Sequence, residues 1–168
     1  MPEPREHADH RNWVESIARW IPGFRGYLEK EYRRESDTLQ RDWMVDRLDR
    51  SKRGIERCTR EWADAGQIKI LPQCDRLRGR IDKLSSRIRG AMKGYSGFFD
   101  LVRINEEVLD RIYEFDSGLL DQIDGYANSV EQLGKAENPA EAIQGLLARA
   151  EEYEDLWDQR ENILKGLD

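Results

Sequence analysis

INEEVLDRIYEFDSGLLDQIDGYANSVEQL, residues 104–133, sets an apolar side chain at Ile104, Val108, Ile112, Phe115, Leu119, Ile123, Tyr126, Val130 and Leu133. Every step is three or four residues. On an α-helix that spacing gathers the side chains along one side. The stretch before it repeats the pattern at Cys74, Leu77, Ile81, Leu84, Ile88 and Met92, and the stretch after it at Ile143, Leu147, Ala150, Tyr153, Trp157 and Leu164. Three such helices on a chain of 168 residues bury their stripes only against one another. The spacing therefore predicts a bundle.

Further toward the N-terminus, Met44, Leu48, Ser51, Ile55, Cys58 and Trp62 mark the second half of another helix, expected over 25–65 with Gly66 as its stop. About 40 residues at 1.5 Å each span about 60 Å. The first half of that helix, Glu29 to Asp42, is nearly all polar, with Tyr32 and Leu39 as sparse anchors. It is expected either to project beyond the bundle or to be covered by a neighbour. A short helix over 11–21 carries Trp13, Ile17, Trp20 and Ile21 and ends at Pro22-Gly23. Residues 1–10 read as a disordered tail. Pro72 opens a helix over 72–93, Asn105 caps one over 105–134, and Asn138-Pro139 with Glu141 opens one over 139–167. Short links favour antiparallel neighbours. The expected fold is an all-α, antiparallel up-down four-helix bundle of long helices with a short extra N-terminal helix, as one domain over 11–168.

Charge divides unevenly. Residues 66–104 hold nine Lys or Arg against three Asp or Glu, whereas 105–168 hold five against seventeen. The basic third helix lying beside the acidic fourth and fifth would neutralise both; a basic face for an anionic partner is the sharper reading. The net charge of −6 argues against a dedicated nucleic-acid binder. Cys58 and Cys74 fall on apolar seams and are expected as reduced thiols in a cytoplasmic protein. No stretch approaches the ~20 apolar residues of a membrane-spanning helix, and the charged start lacks the apolar core of a signal peptide.

Chemistry-bearing motifs are sparse. The two histidines, His7 and His10, form an H-x-x-H in the tail, too few ligands for a rigid metal site. The Glu-x-x-His pairs of di-iron bundles do not occur, and no phosphate-cradling glycine motif is present. Glu106, Glu107, Asp110, Glu114 and Asp116 read as a mostly solvated acidic face. Neither a catalytic residue nor a metal or cofactor is expected.

Two helix connections carry clustered aromatic and charged residues: Trp20 to Tyr27 with the following Lys30 to Asp37, and Gly94-Tyr-Ser-Gly-Phe-Phe-Asp100. Trp13, Trp20, Phe24, Tyr27, Tyr95, Phe98 and Phe99 are expected to form an aromatic cap closing one end, or else a docking surface. IPGFRGYLEKEYRRESD at 21–37 and GYSGFFDLVRINEEVLDRIYEFDSGLL at 94–120 resemble a group of bacterial all-helical proteins without an assigned activity. That group is marked by an Ile-Pro-Gly-aromatic-x-Gly-Tyr turn, a Lys-Glu-x-Arg-Arg-x-x-Asp stretch and a Gly-Tyr-x-Gly-Phe-Phe-Asp loop. The resemblance covers roughly residues 13–125 and implies a bacterial soluble helical protein; it brings no catalytic residue.

The expected function is that of a non-enzymatic interaction or scaffold protein, binding a protein partner or associating with itself. Its candidate partner-binding residues are Trp20, Phe24, Tyr27, Arg33, Arg34 and Asp37. The alternative is a peripheral membrane-associated protein of envelope-stress type, using the aromatic face of the first helix on a lipid surface.

Overall fold

A computed structural model of the chain describes residues 4–27, 29–94 and 105–165. The expected loop at Tyr95 to Asp100, with Phe98 and Phe99, lies outside the described residues. Five helices make up the described protein: α1 (Pro4–Trp20), α2 (Lys30–Asp64), α3 (Leu71–Gly94), α4 (Glu106–Glu131) and α5 (Pro139–Lys165). Short 3₁₀ turns at Ile68–Ile70 and Leu133–Lys135 precede α3 and follow α4. The fold is all-α, with no strand among the described residues.

The helix ends follow local chemistry. Asn105 accepts the Val108 amide at 2.9 Å and so caps α4. Asn138 accepts from the Glu141 amide, and its own amide donates to the Glu141 carboxylate. Beyond α2, the Gly66 amide bonds the Ala63 carbonyl and the Gln67 amide the Trp62 carbonyl, which closes the helix in a Schellman turn. Two expected boundaries move. Residues 4–10, read as a disordered tail, are helical, since α1 starts at Pro4, a favoured first-turn residue. α2 starts at Lys30 rather than 25, because Gly23 and Gly26 take positive φ and hold the preceding segment out of the helix.

α2 packs on α3 and α4, α5 packs on α3 and α4, and α1 lies on α4. Side-chain bonds fix the directions. Lys52 meets Asp82 and Glu56 meets Arg78, so α2 and α3 run opposite ways. Asp116 meets Arg160 and Gln122 meets Tyr153, so α4 and α5 also run opposite ways. Arg47 meets Asp124 and Arg57 meets the Glu131 carbonyl, which makes α2 and α4 parallel. Arg80 meets Glu151 and Arg87 meets Asp158, which makes α3 and α5 parallel.

One core runs through these contacts. It includes Met44, Leu48, Ile55, Cys58 and Trp62 of α2, Leu77, Ile81, Leu84 and Ile88 of α3, Ile112, Leu120, Ile123 and Val130 of α4, and Ile143, Ala150 and Trp157 of α5. Ile17 of α1 and Ile21 just beyond it join it. The polar first half of α2 does not project from the bundle. Ser36, Asp37, Gln40 and Arg41 are buried, and they continue the apolar seam of Met44 and Leu48 at the same three-four spacing.

The basic stretch is neutralised mainly across the α3–α5 seam, where Arg80, Lys83 and Arg87 face Glu151, Glu154 and Asp158. On the other side of α3, Arg78 and Arg89 pair with Glu56 and Asp49 of α2. Where both partners are exposed, as in Arg78–Glu56, a pair contributes little, about 0–1 kcal/mol.

Candidate functional site

The polar residues of the α2 seam converge with α4, α5 and the α1–α2 connection in a buried layer. Arg160 of α5 is fully buried. Its Nε donates to Asp116 Oδ1 at 2.7 Å, and its Nη2 reaches Asp37 Oδ1 at 2.8 Å and Asp116 Oδ2 and the Tyr27 hydroxyl at 3.2 Å. Arg41 Nε donates to Asp37 Oδ2 at 2.7 Å, and Arg41 Nη1 caps the Ile88 carbonyl of α3 at 2.7 Å. Both guanidiniums lie over Trp157, 4.6 Å (Arg41) and 4.9 Å (Arg160) from the ring centroid. Two cations and two carboxylates thus balance inside the protein, tying together α2, α3, α4 and α5.

Tyr27 anchors the connection after α1 to this layer. Its hydroxyl lies 2.5 Å from Gln40 Oε1 and 2.7 Å from Asp116 Oδ2, its ring stacks on Tyr113 at 5.4 Å, and its amide donates to the Tyr113 hydroxyl at 2.6 Å. Gly26 is required beside it. Its φ is +85°, and a Cβ there would fall 2.5 Å from the Tyr113 hydroxyl. Burial, with Asp116 next in weight, pushes the Tyr27 phenol well above its usual range despite the opposing effect of Arg160. For Arg160 burial works against the charge, but Asp116 and Asp37 outweigh it and raise the guanidinium further. The layer bonds a phenol to a cationic guanidinium and ties the surrounding helices together.

The six expected partner-binding residues separate. Phe24, Tyr27 and Asp37 are buried, so they offer no surface. Arg33 is half-buried, and its Nε donates to the Tyr27 carbonyl, which pins the connection. Trp20 is half-buried edge-on to Trp43 at 5.4 Å, and Arg34 is exposed. Of the expected aromatic cap, Phe24 meets Tyr27 edge-on, whereas Trp20 rests on Trp43 and Tyr27 stacks on Tyr113, neither of which was expected in it. Asp116, read with a mostly solvated acidic face, is fully buried because it lies on the seam between Ile112 and Leu119. Gln40, Arg41, Asp116, Trp157 and Arg160 were legible only through spacing: each falls three or four residues from a core apolar residue, and polarity masked four of them.

On the surface, the outer side of α2 differs from the seams. Arg50, Arg53, Arg57 and Arg60 follow one another by three, four and three residues and are all exposed. Arg50 and Arg60 donate to carbonyls of their own helix, Arg57 to the Glu131 carbonyl. None of the four forms an ion pair among the described residues. Trp43, Asp46, Asp49, Arg50 and Arg53 line a surface groove of about 400 Å³, beside which Trp20 rests on Trp43.

No group of His, Cys, Asp and Glu among the described residues is arranged to hold a metal ion, and no helix among them is long and apolar enough to cross a membrane. No known protein family, no curated protein and no solved structure matches the chain.

Proposed function

We propose that the protein is a non-enzymatic interaction module: an up-down four-helix bundle, with ring order α2, α3, α5, α4, that presents the outer face of α2 to an acidic protein segment. The observation that carries this reading is the groove lined by Trp43, Arg50 and Arg53 together with Asp46 and Asp49, which the exposed Arg57 and Arg60 continue and turn net basic. Trp and Arg are the residue types that most often dominate binding energy at interfaces. Here Trp43 is half-buried under Trp20, and the four exposed arginines beyond it form no ion pair among the described residues, unlike Arg80 and Arg87 of α3. Of the residues first expected at the partner surface, Trp20 remains at its edge, against Trp43.

The reading places the chain in the cytoplasm and within the bacterial group that its 21–37 and 94–120 segments resemble. The membrane-associated alternative has less support, because α1 already spends its apolar side on α4. Ile17 and Ile21 are buried and Trp13 and Trp20 are packed against the core, so lipid insertion would require α1 to undock.

The test begins with light-scattering mass over a concentration series, with and without anionic vesicles, followed by partner capture with wild-type protein and with the double variant Arg50→Glu, Arg53→Glu. The expected result is a captured acidic partner whose affinity falls tenfold or more in the variant, while the melting temperature stays within about 2 °C, since exposed substitutions seldom exceed about 0.5 kcal/mol. Equal affinity in the variant would sink the α2 surface. Mass growing with concentration would point to self-association, and transfer to vesicles to the lipid reading.

A further inference from the structure

The buried layer has more donors than acceptors. Asp37 and Asp116 have all four oxygens engaged. Arg160 Nη1, Trp157 Nε1 and Gln40 Nε2 are buried with no protein partner. The three belong to one contiguous cluster: the Arg160 guanidinium lies over Trp157, and the Tyr27 hydroxyl bridges Arg160 to Gln40. A buried polar group left unpaired is costly. Three in one cluster would offset much of the small margin that holds a domain folded.

From this donor excess we infer that the layer is a hydration site: at least one ordered internal water accepts from Arg160 Nη1 and Trp157 Nε1 and bonds the outer amide atom of Gln40. A neutral ligand fits the charge balance. Two arginines already face two aspartates, so a buried anion would add an uncompensated charge in a low-dielectric interior. Gln40 supplies a second argument. Tyr27 has one hydroxyl proton for two acceptors, Gln40 Oε1 and Asp116 Oδ2. Turning the Gln40 amide around lets its nitrogen donate to the phenol oxygen while the phenol donates to the carboxylate, and then the outer atom of Gln40 is an oxygen. A water serves that atom in either setting, as donor or as acceptor, whereas an anion serves only one. The water would bind where α2, α4 and α5 meet.

The test is a water-to-indole cross-relaxation measurement on the full chain, with the Trp157 indole N–H assigned by its loss in Trp157→Phe. The expected result is a direct cross-peak between that N–H and water, with the sign of a water held longer than the molecule takes to tumble. Absence of the cross-peak would overturn the site. Crystals grown with bromide as the only halide give a second readout that needs no variant. Density of water strength within hydrogen-bond distance of Trp157 Nε1 and Arg160 Nη1 is expected. An anomalous bromide peak there, or no density, would overturn the proposal.

Discussion

Two buried carboxylates depend on Arg160. Replacing it by Met leaves Asp37 with Arg41 alone and Asp116 with only the Tyr27 hydroxyl. Breaking a buried pair from one side costs about 3–5 kcal/mol. Urea unfolding of Arg160→Met should show a loss of that size, and Arg87→Ala, which breaks the half-exposed pair with Asp158, a loss of no more than about 1 kcal/mol. Similar losses in the two variants would mean that the layer is no stronger than the surface. The residues of this layer show where sequence reading stops. Spacing places Arg41, Asp116 and Arg160 on their seams as surely as it places Leu48 or Ile112. What spacing does not supply is the partner that makes a charge tolerable inside, and that partner lies 44 residues away for Asp116 and Arg160. Tyr27 and Asp37, expected at a docking surface, are buried for the same reason: their polar atoms find their partners indoors.

Between elements, the approach of α2 to α4 is set by a single missing side chain. A Cβ on Gly54 would stand 2.7 Å from the Glu131 Cα and 2.9 Å from the Val130 carbonyl oxygen, and neither is an atom that a rotamer change can move. Nearby, Arg47 bonds Asp124, Asn128 and Glu131 across the same contact. Gly54→Ala should therefore lose about 1–3 kcal/mol as the helices are forced apart. Gly79 of α3 is the control, because nothing lies within 4 Å of its added Cβ. There Ala should raise stability by about 0.5–1 kcal/mol through helix propensity alone. Thermal or urea unfolding of the two variants checks the opposite signs, and a stabilised Gly54→Ala would show that α2 and α4 are not in contact there. The helices themselves were legible because period, caps and breakers agree along α3, α4 and α5. Their pairing was less so. Short links bear only on neighbours in sequence; that α2 lies against α4 and α3 against α5 rests on contacts such as those of Arg47 and Arg80, across seams that the sequence does not display.

At the scale of the whole molecule, two buried thiols and two buried phenols are shifted in the same direction. Burial raises the thiols of Cys58 and Cys74 above their ordinary 9.0. Burial, followed by Asp116, raises Tyr27, and burial raises Tyr126, both above an ordinary 10.0. Each group keeps its proton in the folded chain at a pH where the unfolded chain has released it. The unfolded state then binds fewer protons, so stability falls as pH rises. The contribution of each group is fully present below its unfolded value and disappears between that value and its higher folded one. Each loses up to about 1.4 kcal/mol per pH unit inside that window. Melting temperatures should accordingly hold level to about pH 9 and then drop with increasing slope as the thiols and next the phenols enter their windows. Thermal melts from pH 7 to 11 measure this directly. A melting temperature that stays flat through pH 11 would mean that Tyr27 and Tyr126 ionise as freely inside the bundle as outside it, and that the buried layer is open to solvent.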